Sequence, residues 1–298
     1  MLEIIQDTLV DAIKLLPFLF ITYLIMEYIE HKMGHKTKHA IKKSGKWGPI
    51  IGSVLGAFPQ CGFSVSATNL YAGRVITLGT LIAVYLSTSD EMLPIFISEA
   101  VSPIIILKIL GIKLIVGMIA GILIDFVTHI VKSKIAKNKK DDKENIEENE
   151  EDKIGHICEE DHCHCDESGI LKSAIHHTLN ILLFIVIVTF IINIVVHFVG
   201  EETIAGWILN KPVIGPAIAS LIGLIPNCAA SVIITNMYLE NVISLGSMIS
   251  GLLTGAGVGL AVLFKTNNKI KENIGIVVLL YAIGVISGIV IDLIGFTI

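Results

Sequence analysis

Phe58 to Glu91 reads FPQCGFSVSATNLYAGRVITLGTLIAVYLSTSDE. It lies in one of the most apolar parts of the chain, yet it is interrupted twice. The first break is Pro59-Gln60-Cys61-Gly62 and the second is Ser87-Thr88-Ser89-Asp90-Glu91. Proline removes an amide donor and glycine loosens the backbone, so helix carbonyls and amides come free at each break. Hydrocarbon cannot satisfy them, and such breaks persist only where the backbone is buried in protein or lines a wet cavity. Transporters place their substrate at such points.

The stretch occurs twice. Gly48-Pro49 returns as Gly215-Pro216, Pro59 as Pro226 and Cys61 as Cys228. Ser64-Val65 returns as Ser231-Val232, Thr68-Asn69 as Thr235-Asn236, Tyr71 as Tyr238 and Leu78-Gly79 as Leu245-Gly246. Each pair is 167 positions apart, without a gap. The same offset carries Gly117, Gly121 and Asp125 onto Gly284, Gly288 and Asp292. A register held across a whole half identifies an internal duplication. Its recurring interruptions point to a transporter site.

Composition places the chain in a bilayer. Hydrophobic residues make up 53%, charged residues 16%, and the mean hydropathy is +0.76. Several apolar runs exceed the ~18 residues that mark a spanning helix. The N-terminus has no basic segment followed by a cleavage site, so no removable signal peptide is expected. The net charge of −5 misleads, because about half of the acidic residues lie in one loop. Nucleic-acid binding has no support. The five cysteines divide into two in apolar segments and three in that loop, which argues against a disulfide framework.

Three regions follow: a first membrane repeat over 1–131, an acidic linker over 132–169 and a second membrane repeat over 170–298. Residues 8–29 read as the first span. The loop after it carries six lysines, from Lys32 to Lys46, and three histidines. Positive charge stays inside, so this loop is expected in the cytoplasm. The corresponding loop Glu201–Lys211 has one lysine. Equivalent loops thus fall on opposite sides, and the two halves are expected to be inverted, with both termini outside and the linker inside. Residues 48–72 read as a re-entrant hairpin with Cys61 near its tip, or as one full span; 213–240 repeats the choice. Lys108 and Lys113 are assigned to outside loops near span ends.

The expected substrate site joins the breaks of both halves. Cys61 and Cys228, with Gln60 and Asn227 beside them, offer thiols, amide oxygens and freed carbonyls. Thiolate favours soft ions, whereas carbonyl and carboxylate favour manganese; a free cysteine can also be only a small hydrophobe. Asp90 and Glu91 break the symmetry, since Gly257 and Val258 stand at the equivalent positions. Acidic groups at membrane depth are functional by default. Ser87, Thr88, Ser89 and Thr254 add oxygens. Asn69 and Asn236 lie about two turns beyond each cysteine, as ligands or as interhelical glue. Asp125 and Asp292 read as pairing partners near a membrane end, or as proton relays. The repeated GxxxG reads as a packing seam.

The linker ends in His156, Cys158, His162, Cys163, His164 and Cys165. These are metal-ligand types without zinc-finger spacing, which suits capture or sensing of a thiophilic ion, or a plain solvated loop. A transition-metal ion held there is the one cofactor the sequence allows; none is expected to be tightly bound.

Pro59 to Ile95, PQCGFSVSATNLYAGRVITLGTLIAVYLSTSDEMLPI, resembles the signature of the heavy-metal exporters with ten membrane segments, a family also labelled arsenic efflux proteins or manganese transporters. PNCAASVIITNMYLENVISLGS, from Pro226, is similar to its second-half counterpart. The resemblance implies export of a metal or metalloid ion. With each hairpin counted as two segments, about ten membrane segments result.

The expected fold is therefore all-α and integral to the membrane, with two inverted-topology repeats containing interrupted helices or re-entrant hairpins. The expected function is export of a transition-metal or metalloid ion across the cytoplasmic membrane, not catalysis. The chain has no ATP-binding P-loop, so export is expected to be coupled to a proton or ion gradient, or uncoupled. Partners are the ion and the bilayer, with homo-oligomerisation open and no nucleic acid. Two alternatives stand beside it: a permease for an organic or anionic solute, and a membrane metal sensor.

Overall fold

A computed structural model describes residues 13, 16, 17, 20, 21, 23, 24, 47–58, 61–89, 92–138, 170–199, 213–226 and 228–295. These residues are helical or in turns, and no strand occurs among them. The first half contributes α1 (Gly48–Gly56), α2 (Cys61–Ala72), α3 (Leu78–Ser87), α4 (Met92–Ser98) and α5 (Pro103–Asn138). The second contributes α6 (Ile170–Val199), α7 (Ile214–Gly223), α8 (Cys228–Leu239), α9 (Leu245–Thr254), α10 (Val258–Thr266) and α11 (Ile270–Ile294).

The interruptions read from the sequence are interruptions in space. The stretch 48–72 is two short helices rather than one span, and α7 and α8 repeat the arrangement. α3 and α9 stop at their polar breaks, and α4 and α10 resume beyond them. Between α9 and α10 Gly257 has φ 55°, a left-handed conformation that glycine adopts without a Cβ clash.

Among the described residues, four segments are long and apolar enough to cross a membrane: 78–98, 103–131, 245–266 and 270–294. They fall into two kinds. The broken segments are 75% and 78% buried, whereas each unbroken one is 22% buried. Bilayer chemistry requires this division. A continuous helix satisfies its own backbone and can present Ile115, Ile119, Leu123 and Phe126, or Ile274, Val278 and Ile286, to lipid. A broken helix cannot, so it is wrapped in protein.

Packing repeats with the sequence offset. α3 lies against α1 and α5, as α9 lies against α7 and α11. Across the halves, α2 meets α10, α8 meets α4, and α3 meets α9. The core around these crossings holds Leu81, Ile82, Tyr85, Leu86 and Phe96 with Met248, Ile249, Leu252 and Leu253. A second cluster joins Tyr23 to Val65, Ala174, Ile181, Ile185, Val258 and Val262.

Glycines set the distance between helices. A Cβ at Gly121 would stand 2.5 Å from the Gly79 carbonyl, and one at Gly288 would stand 2.5 Å from the Gly246 carbonyl. The GxxxG seam thus brings backbone against backbone in both halves. The aspartates one turn further on are caps. Asp125 Oδ1 accepts from the Gly79 amide at 2.8 Å, and its Oδ2 accepts from the Thr77 hydroxyl at 2.6 Å. Asp292 does the same for Gly246 at 2.9 Å and Ser244 at 2.7 Å. Each carboxylate therefore satisfies the start of a buried half-helix, whose first amides have no intrahelical acceptor.

Candidate inter-repeat ion site

The centre of the molecule is where the end of α3 meets the end of α9. At the end of α3 Ser87, Thr88 and Ser89 are all buried. The Ser87 hydroxyl donates back to the Ala83 carbonyl at 2.8 Å, Thr88 to Val84 at 2.8 Å, and Ser89 to Ser87 at 3.0 Å. Each oxygen keeps lone pairs for a ligand. Thr254, the equivalent of Ser87, is also fully buried and donates to the Ser220 carbonyl at 2.9 Å.

The carbonyls freed at the breaks converge on Lys113. Its Nζ donates to the Thr88 carbonyl of the first repeat and to the Leu252 carbonyl of the second at 3.0 Å. Leu252 is available because the Ala256 amide, which would close that helical turn, bonds Thr254 instead. Lys113 is 1% exposed, although it was expected in an outside loop. It sits inside α5, four residues before Gly117, so it continues the inward stripe of Gly117, Gly121 and Asp125. That four-residue spacing was the available signal; charge counting ignored it.

A second polar network crosses the repeats beside it. Tyr85 is fully buried, its hydroxyl lies 2.6 Å from the Thr68 hydroxyl, and it donates to the Gly259 carbonyl at 3.2 Å. The Thr68 hydroxyl donates back to the Ser64 carbonyl at 2.7 Å and lies 3.2 Å from the same Gly259 oxygen. The next residue, Asn69, is 2% exposed, and neither its Nδ2 nor its Oδ1 has a partner among the described residues. Leaving a buried amide unpaired costs about 1–3 kcal/mol. Asn236, its counterpart, is exposed and does not join Asn69 in the buried centre.

One face of the inter-repeat seam carries an ion pair. Arg74, in the turn after α2, donates from Nη1 to Glu272 Oε1 at 2.6 Å and from Nη2 to Oε2 at 3.1 Å. The Tyr71 hydroxyl donates to the same carboxylate. Hydrogen bonding to Glu272 raises the Arg74 pKa further above its ordinary value, against partial burial. Arg74 has φ 57° and its equivalent Asn241 has φ 60°. Asparagine tolerates that conformation and arginine does not, at roughly 1–2 kcal/mol. The strain at Arg74 is offset by a side chain that the turn itself does not need.

Of the other expected site residues, Gln60, Asp90, Glu91 and Asn227 lie outside the described residues. So do His156, Cys158, His162, Cys163, His164 and Cys165 of the linker. Cys61 and Cys228 open α2 and α8, and their side chains also lie outside the description. Among the described residues, no group of three or more His, Cys, Asp or Glu could hold a metal ion.

No curated protein and no solved structure matches the chain. Residues 1–198, which take in the Phe58–Glu91 stretch and the linker, match the family described as "Putative, 10TM heavy-metal exporter", and the chain belongs to that family.

Proposed function

We propose that this protein exports a transition-metal or metalloid ion through a site between its two repeats, where the α3 and α9 breaks meet. The observation that carries the reading is the pair of broken crossings, buried against each other and turning freed carbonyls of both repeats toward one cation, the Lys113 ammonium. Such a seat suits positive charge, because helix C-terminal ends carry partial negative charge and carbonyl oxygen replaces lost water. In this reading the buried Asn69, Ser87, Thr88, Ser89 and Thr254 supply further oxygens. Cys61, Cys228, Gln60, Asn227, Asp90 and Glu91 complete the ligand set, with thiolates selecting a soft ion. Manganese, a zinc-like ion and arsenite are the candidates, and an ion or proton gradient drives export.

In this reading the halves are inverted in a cytoplasmic membrane, with the linker and its His/Cys cluster inside to capture the ion. Regions 1–131 and 170–298 alternate access around the seam. Lys113 also favours a second reading, a permease for an anionic solute, because a fixed ammonium would attract an anion.

Accumulation of Mn, Zn, Cu, Co, Fe and arsenite in expressing cells separates the two. We expect wild type to lower one ion, and Cys61→Ser/Cys228→Ser or Asp90→Asn to restore it. No change for any ion would overturn metal export and leave the anion permease.

A further inference from the structure

We propose that Lys113 is a tethered cation that occupies the ion seat when the carrier is empty. The proposal rests on the reading above and adds how the unloaded protein returns. Its basis is the pairing of one buried ammonium with one freed carbonyl from each repeat, at Thr88 and Leu252. Two carbonyls facing each other in a water-poor centre repel and are costly without a donor or a cation. Lys113 supplies both a charge and donors.

The arrangement is not imposed by the repeat. The second half has Leu280 where the first has Lys113, and Leu280 is fully buried in the apolar core. Duplication therefore yields two breaks but one lysine, enough to fill one shared seat. The side chain is also of the right kind. An ammonium on a flexible four-carbon stem can withdraw along α5 and return, which a planar, forked guanidinium does less readily.

The cycle that follows breaks no covalent bond. An arriving metal ion takes the Thr88 and Leu252 carbonyls, and the ammonium moves aside. When the ion leaves, the ammonium closes on the carbonyls again. The seat is thus never bare, so the empty carrier can change face and export is net. Without the lysine the seat is stable only when an ion fills it, and the carrier is confined to trading one ion for another.

The test uses the full chain in lipid vesicles, with the ion of the panel that wild type moves. Net efflux into ion-free buffer is compared with isotope exchange at equal ion on both sides. We expect Lys113→Met to lose net efflux by about tenfold or more while exchange stays within about twofold of wild type. Parallel loss of both in folded protein, or retention of both, would overturn the proposal.

A second measurement does not need the metal. Propylammonium should raise the melting temperature of detergent-solubilised Lys113→Ala and leave wild type unmoved. If wild type moves no ion of the panel, the metal reading fails while this measurement still decides the seat: stabilisation supports a tethered cation, and its absence overturns one.

Discussion

In the first half, Lys113 joins the repeats through carbonyls, Tyr85 reaches across to Gly259, and Asn69 is buried with an amide that has no partner among the described residues. In the second half, the corresponding positions are Leu280, Leu252 and an exposed Asn236. Around these differences the frame is the same: two aspartate caps, two glycine seams and two left-handed turns. The frame builds a broken, buried helix and is needed twice. The centre is shared, so its chemistry is needed once.

That contrast can be broken most strongly at the glycine seam. Gly121→Ala and Gly288→Ala each drive a Cβ to 2.5 Å from a backbone oxygen that cannot turn away. We expect each to cost about 1–3 kcal/mol, equally in the two halves, read as the unfolding midpoint in detergent. Tolerance of one but not the other would show that the frame is not symmetric.

Next comes the asparagine pair, where function and stability should move apart. Asn69→Leu replaces a buried amide, without a partner among the described residues, by an apolar branch of the same heavy-atom count. It should gain about 1 kcal/mol of stability and lose most transport. Asn236→Leu, on an exposed side chain, should leave both nearly unchanged. If Asn69→Leu keeps full flux, the amide is not a substrate contact.

The caps should again behave as a matched pair. Asp125→Ala and Asp292→Ala each strip a half-helix of its amide acceptor, for about 1 kcal/mol per site by the same melting assay. A large transport defect at one of them, with stability unchanged, would return that aspartate to a proton-relay role.

The smallest effect on stability is expected at Arg74→Gln. The Arg74–Glu272 pair is about 30% exposed and screened, so its loss should cost under about 1 kcal/mol. Its consequence should be conformational. The pair joins the halves on one face, and the positions equivalent to Arg74 and Glu272 by the repeat offset are Asn241 and Ile105, which cannot form an ion pair. Labelling of single cysteines placed near residues 73–77 should rise in Arg74→Gln; unchanged labelling would reduce the pair to a surface contact.

Much of the frame was legible because it follows from local rules. Proline, glycine and clustered hydroxyls inside an apolar run announce a break. The 167-residue offset announces a duplication, and both appear as described helices with recurring contacts. The roles of Asp125 and Asp292 were not legible. A carboxylate 46 residues from the amide it caps leaves no sequence signal beyond its own repetition. Lys113 was misassigned because loop-charge counting treats any lysine near a span end as solvated. Its burial depends on a partner carbonyl 139 residues away.

By itself, then, the sequence determined the class of solvent, the broken crossings and the twofold repetition. These depend on hydropathy and backbone chemistry carried by each residue or its neighbours. Tertiary structure alone decided which polar groups meet: that Asn69 is enclosed and Asn236 is not, and that a lysine of one repeat answers the carbonyls of both. The physical reason is that a freed carbonyl in a bilayer must be satisfied by something, and only the packing of distant segments decides what stands within 3 Å of it.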